Sequence, residues 1–214
     1  MIEFTYEAEN STTICETYEW DNTWIEHADG SEAKRVLYIG DSISCQIRQF
    51  ATSLAEGKVL FDGYGSSKGI DNPYLMDSIK LFAAQQGRRD VILFNNGLHG
   101  WHLEEQTAYK VAYERMVIWL LEEFAGVPLI LVLTTHIGDA KREQRVIARN
   151  QIAQEIAEKY DLKIIDLYTE ALKQHDDLDE YGVHFGEKGN ISLARTILRG
   201  VDEVIGGSFK NERI

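Results

Sequence analysis

The chain is poor in proline and in cysteine, with 2 of each in 214 residues. So few prolines argue against a hinge between domains, and the length suits one domain with an addition. Two cysteines, Cys15 and Cys45, do not make a disulfide framework. They point to a reducing compartment, and the cytoplasm is the expected location. Basic residues are scarce as well: 22 Lys and Arg stand against 35 Asp and Glu, a net charge of −13. Phosphate backbones and anionic membrane surfaces both need clustered positive charge, so neither nucleic acid nor a membrane is an expected partner. No apolar run approaches bilayer-spanning length. The acidic start, Met1-Ile2-Glu3-Phe4, lacks the basic flank and apolar core of a signal peptide. No internal repeat, low-complexity tract or linker is visible.

What the chain has is apolar patterning. A hydrophobic fraction of 44% is enough for a real core. Val36-Leu37-Tyr38-Ile39 reads as a fully buried strand that ends abruptly in Gly40-Asp41-Ser42. Ile43, Ile47, Phe50, Ala51 and Leu54 then share one helical face. The pattern repeats. Strands are expected near 36–39, 59–61, 91–94, 129–133 and 163–165, and helices near 43–56, 74–86, 103–125, 141–160 and 187–205. Alternating strands and helices predict a parallel sheet covered on both faces. The expected fold is a three-layer α/β/α sandwich, with a five-stranded parallel flavodoxin-like sheet of order 2-1-3-4-5. Residues 34–208 would form this domain, and 209–214 a tail. Residues 1–33 would be a small β/α extension packed on the domain. Within the extension, 2–8 alternate as a half-buried strand, 12–18 pair with them as a hairpin, and Asp21 caps a short helix over 22–28. Trp20 and Trp24 need burial.

Polar residues collect after the strands, where an open α/β sheet binds ligands. Ser42 sits between a buried strand and a helix N-terminus, exposed on a rigid base beside unpaired N–H groups. Asp41 is a favoured helix cap. The second strand leads into Asp62-Gly63-Tyr64-Gly65-Ser66-Ser67-Lys68-Gly69, which resembles a phosphate cradle but fails the P-loop spacing. The third leads into Asn95-Asn96-Gly97-Leu98-His99-Gly100-Trp101-His102, and the fourth into Thr134-Thr135-His136. His99 and His102 could share a helical face. Zinc would need a third ligand and His-Glu-x-x-His is absent, so no metal or other cofactor is expected. A serine nucleophile needs a base. His184, in a glycine-containing loop before the last helix, is placed to reach across the sheet edge.

These residues resemble the SGNH (GDSL-type) hydrolases: Gly40-Asp41-Ser42, an Asn-bearing loop after the third strand, and Gly182-Val183-His184-Phe185 before the final helix. The resemblance spans residues 34–205, with the blocks in the family's order. It implies a serine esterase acting through an acyl-enzyme, with Ser42 as nucleophile and His184 as general base. The substrate would be a small-molecule ester, an acetylated saccharide by family habit. Gly65 or Ser67 would supply an oxyanion N–H, and Asn96 or His99 a further donor. Asp41 and Trp101 would stand near the substrate, with Tyr64 and Trp24 as further aromatic surfaces. The family's acid lies three residues before the histidine, where this chain has Tyr181. Asp179 is the favoured substitute. Glu180, or a Ser–His dyad without an acid, stays open. A catalytically impaired sugar- or nucleotide-binding module on the same sheet is the alternative, and the sequence leaves a homo-oligomer open.

Overall fold

A computed structural model describes residues 12–205. Six strands form one sheet: β1 Asp21–Trp24, β2 Lys34–Gly40, β3 Val59–Ser66, β4 Val91–Phe94, β5 Leu129–Val132 and β6 Lys163–Ile165. Their order is β1-β3-β2-β4-β5-β6. Strands β2 to β6 are mutually parallel and keep the expected 2-1-3-4-5 order, and β1 adds an antiparallel edge beside β3.

The helices are α1 Ser42–Leu54, α2 Leu75–Gln86, α3 Gln106–Glu123, α4 Ala140–Lys159, α5 Leu167–Lys173 and α6 Glu187–Ile205. A 3₁₀ turn, His175–Asp177, follows α5. Side chains alternate across each strand, and that period sorts the core into two layers. Val36, Tyr38, Phe61, Val91, Leu93, Ile130 and Val132 pack with Ile47 and Ala51 of α1 and with Leu193, Ile197 and Val201 of α6. Leu37, Ile39, Ile92, Phe94 and Leu131 pack with Ile79 of α2, Met116 of α3 and Ile156 of α4. The molecule is therefore the expected three-layer sandwich.

The N-terminal extension departs from its expected form. Residues 2–8 lie outside the described part. Residues 12–18 are bends and turns rather than a strand. No helix covers 22–28, because Asp21 does not cap one. Its Oδ1 accepts hydrogen bonds from Tyr64, Ser66 and Lys68 of the neighbouring β3 segment. The segment joins the sheet as β1, and β3 gains a partner for its open edge. Strand β3 consequently runs on through Ser66 instead of ending near residue 61. Gly65, expected in the loop, lies inside the sheet opposite Gly40 and Asn22. A Cβ there would meet Cys45 Sγ at 2.3 Å, so close approach of α1 requires the glycine.

One buried ion pair fixes the other end of β3. Asp62 is fully buried and accepts from Arg35 Nε at 2.9 Å and Nη2 at 2.8 Å. It also accepts from Gln86 Nε2 at 2.7 Å and the Glu26 N–H at 2.8 Å. Removing the acid would strand a buried guanidinium. Asp62→Ala should therefore lose about 3–5 kcal/mol of unfolding free energy. Urea denaturation reads this as a lower midpoint, and an unchanged midpoint would refute it.

Candidate active site

Strand β2 delivers the chain to the sheet's carboxyl edge, where Asp41 caps α1 through a 3.0 Å bond from the Ile43 N–H. The Asp41 carbonyl accepts the Ser44 hydroxyl at 2.6 Å and the Cys45 N–H at 3.1 Å. Asp41 is thus buried and bound up in starting the helix. Ser42 is the first helical residue, so its N–H belongs to the turn that lacks intrahelical acceptors. Its Oγ lies 2.8 Å from His184 Nε2.

His184 comes from a short antiparallel loop. Leu178 and Phe185 form a bridge, the Asp179 N–H donates to the His184 carbonyl at 2.8 Å, and the Gly182 N–H returns to the Asp179 carbonyl at 3.0 Å. Asp179 Oδ1 accepts from the N–H groups of Val183 at 3.0 Å and His184 at 3.3 Å. Its Oδ2 lies 3.4 Å from His184 Nδ1. Ser42, His184 and Asp179 therefore stand in a row. The acid precedes the histidine by five residues because the two face each other across the turn. Tyr181 occupies the tip and is 68% exposed.

The loops after β3 and β4 form the adjoining wall. Asn96 Nδ2 donates to the Lys68 carbonyl at 2.9 Å, and the Asn96 carbonyl accepts the Tyr109 hydroxyl. His99 is buried, its Nδ1 3.8 Å from Glu16 Oε1 and its ring edge-on to Trp20. His102 pairs instead with Asp71 at 2.8 Å, and His136 with Glu143 at 2.8 Å. Among the described residues, no group of three or more His, Cys, Asp or Glu is placed to hold a metal. No helix among them is long and apolar enough to cross a membrane.

Several sequence candidates sit elsewhere or serve another purpose. Gly65 is in the sheet, as described above. The Ser67 N–H donates to the Trp20 carbonyl at 3.2 Å, and its Oγ accepts the Trp20 N–H at 2.9 Å. Ser67 therefore clasps the N-terminal segment rather than offering an N–H beside Ser42. Trp101 is buried beneath the guanidinium groups of Arg142, Arg145 and Arg149, at 5.5, 4.8 and 5.5 Å from its ring. Tyr64 is buried with its hydroxyl on Asp21. Trp24 is exposed, on the edge strand. The buried aromatics cannot serve as open stacking surfaces without moving.

Two residues of the wall carried no signal in the sequence. Arg149, on α4, is buried without a carboxylate in direct contact. It donates to the carbonyls of Gly97 at 3.0 Å, His99 at 2.6 Å and Gly100 at 2.8 Å. Burial brings its pKa down to about 10, which leaves it charged at neutral pH. Glu16 accepts the Gly100 N–H at 3.2 Å. A long-range partner made of backbone carbonyls leaves no local pattern to read.

No protein-family model matches the chain, and no curated protein matches it by sequence. Solved structures do match its fold. An acetyl xylan esterase, AlAXEase, is 18% identical, with a TM-score of 0.63, over 78% of this chain and 99% of that one. The acetyl xylan esterase Axe2 of Geobacillus stearothermophilus, in a W-to-I variant, is 19% identical, with a TM-score of 0.62, over 83% of this chain and 96% of that one. The catalytic domain of peptidoglycan O-acetyltransferase A from Streptococcus pneumoniae is 18% identical, with a TM-score of 0.63, over 80% and 94%. The chain has the α/β/α fold of these acetyl-processing enzymes. It is the three-layer fold expected from the resemblance of the Gly40-Asp41-Ser42 and Gly182-Val183-His184 blocks to the SGNH hydrolases.

The N-terminal segment reaches this wall through Asp21. Burial raises the Asp21 pKa, but hydrogen bonds from Lys68, Tyr64 and Ser66 outweigh it and hold the carboxyl below its ordinary value. The stability it contributes is fully present above the ordinary value of 3.8 and is lost as pH falls through the lower folded value. Asp21→Asn should therefore melt below wild type at neutral pH, and the gap should close in acid. Thermal melts at about pH 7 and pH 2.5 test this, and a gap that stays constant would exclude the charge as its cause.

Proposed function

We propose that the protein is a serine esterase that removes acetyl groups from a carbohydrate. The observation that carries this reading is the 2.8 Å approach of His184 Nε2 to Ser42 Oγ at the start of α1. Ser42 attacks the ester carbonyl while His184 Nε2 takes its proton. The Ser42 N–H and the side chain of Asn96 or His99 hold the oxyanion. Asn96 has a second amide hydrogen beyond the one given to Lys68. Collapse of the tetrahedral adduct expels the alcohol, which receives the proton from His184. Water then gives a proton to His184 as it attacks the acyl-enzyme, and collapse of that second adduct frees acetate while His184 returns the proton to Ser42 Oγ. Asp179 holds the Nδ1–H tautomer and stabilises the imidazolium, as the acid of a Ser-His-Asp triad does. The saccharide assignment draws on the neighbours named as acetyl xylan esterases.

Ser42→Ala should abolish hydrolysis of 4-nitrophenyl acetate and labelling by a fluorophosphonate. Wild-type protein that shows neither activity would favour a binding module instead. Asp179→Asn should lower kcat by about 10²–10⁴ through loss of the correct tautomer, whereas Glu180→Gln should change it less than about twofold. Steady-state kinetics distinguish the two, and the reverse ranking would make Glu180 the orienting acid.

A further inference from the structure

We propose that one water molecule is bound beneath the Ser42 turn, bridging Asp41 Oδ2 and Thr135 Oγ1, and that Thr135 is thereby a positioning residue for Ser42. The hydration site stands without the esterase reading; its effect on turnover rests on that reading.

Two orphaned polar atoms share one cavity. Asp41 is 3% exposed and Thr135 2%. Among the described residues, neither Asp41 Oδ2 nor Thr135 Oγ1 has a hydrogen-bond partner. Buried polar atoms are nearly always paired, with protein or with ordered water. Both residues line a cavity of about 10 Å³ between the sheet and helices α1 and α5. Every residue around it is buried. Roughly 10–15 Å³ holds a single water, so the cavity excludes anything larger.

The donors and acceptors balance around a water. The Thr135 hydroxyl donates to it. The water gives one hydrogen to Asp41 Oδ2 and the other to Ser44 Oγ, which also lines the cavity. Ser44 Oγ can accept, because its own hydrogen goes to the Asp41 carbonyl at 2.6 Å. Three bonds are the usual complement of a buried water. A cation is not required, since the Asp41 carboxyl accepts the Ile43 N–H and sits at a helix N-terminus, whose dipole favours negative charge.

The bridge joins two edges that the sheet leaves apart. Strand β4 lies between β2 and β5, so no ladder bond ties their exits together. The β5 exit is a firm anchor. The Thr134 N–H donates to Asn150 Oδ1 at 2.8 Å, Asn150 Nδ2 returns to the Thr134 carbonyl at 2.9 Å, and Asn95 Nδ2 donates to Thr134 Oγ1 at 2.9 Å. Asp41 in turn brackets Ser42. Its carboxylate holds Ile43 and its carbonyl holds Ser44 and Cys45. Fixing the Asp41 side chain therefore fixes where the first turn of α1 begins.

Crystal structures of wild type, Thr135→Val and Thr135→Ser at about 1.2 Å resolution test the site. A single peak should lie about 2.6–3.2 Å from Asp41 Oδ2 and Thr135 Oγ1, persist in Thr135→Ser and weaken in Thr135→Val. Exchange of the Ile43 amide hydrogen, measured relative to that of Leu93 in the central strand, should quicken about fivefold in Thr135→Val. On 4-nitrophenyl acetate, kcat should fall about fivefold with KM within about twofold. Thr135→Ser, which keeps the hydroxyl, should restore both. An empty cavity, or a peak with six or more oxygen ligands at about 2.3–2.6 Å, the mark of a cation, overturns the hydration site. Ile43 exchange that tracks Leu93, an unchanged kcat in an active enzyme, or a loss that Thr135→Ser does not restore overturns the positioning role. Wild-type protein that hydrolyses nothing overturns the esterase reading alone, and the structures and exchange rates then decide the proposal.

Discussion

The closure of the turn between Asp179 and His184 sets the distance on which the site depends. Asp179 supports the imidazole twice, through backbone bonds that fix where His184 emerges and through a carboxylate facing Nδ1. The turn is tied down at its base, where the Gly186 N–H reaches the Asp177 carbonyl and the Gly189 N–H reaches the Asp177 carboxylate. The opposite partner, Ser42, starts a helix whose apolar face shares a core with α6, the helix that follows His184. Ile47 and Ala51 on one side and Leu193 and Ile197 on the other pack against the same strands. Two residues 142 positions apart thus meet because their helices cover one face of the sheet. Close packing of that layer transmits its geometry to the site.

A second constraint comes from a buried cation in an acidic protein. Arg149 turns the carbonyls of Gly97, His99 and Gly100 toward itself. In a trans peptide the carbonyl and the following N–H point in opposite directions. Turning the His99 carbonyl to Arg149 therefore aims the Gly100 N–H the other way, where Glu16 accepts it. The guanidinium and the carboxylate so hold one peptide from both sides. Tyr109 and Trp101 enclose the guanidinium at 4.3 and 5.5 Å, so its desolvation is offset by hydrogen bonds and ring contacts together. Arg149 thus stiffens the loop carrying His99 through backbone carbonyls, with no carboxylate of the described residues in direct contact with the guanidinium.

The sheet was legible in the sequence because burial on both faces writes continuous apolar runs, as in 36–39 and 91–94. The parallel direction of its strands followed from alternation with helices, and their order is the flavodoxin-like one expected for five such strands. The edge was not legible. Asp21 has the chemistry of a helix cap, and only the proximity of Tyr64, Ser66 and Lys68, more than 40 residues away, turns it into a strand anchor. Gly65 reads as a loop residue by composition, yet it serves the approach of Cys45. The approach of Ser42 to His184 was foreseeable because each stands at the end of a regular element. The approach of Asp179 to the imidazole was harder to foresee, because motif spacing counts residues along the chain while a hairpin pairs them across it. Glu16 and Arg149 could not be found at all, since their partners are backbone groups of a distant loop.

On the esterase reading, the five-residue spacing takes the carboxylate that faces His184 Nδ1 off the tip of the turn. Here Asp179 lies near the bridged base, where backbone bonds fix its side chain, and the tip is left to Tyr181. The tip can then vary in size and polarity without moving the carboxylate, because no hydrogen bond that holds Asp179 to Val183 or His184 involves a side chain at 181.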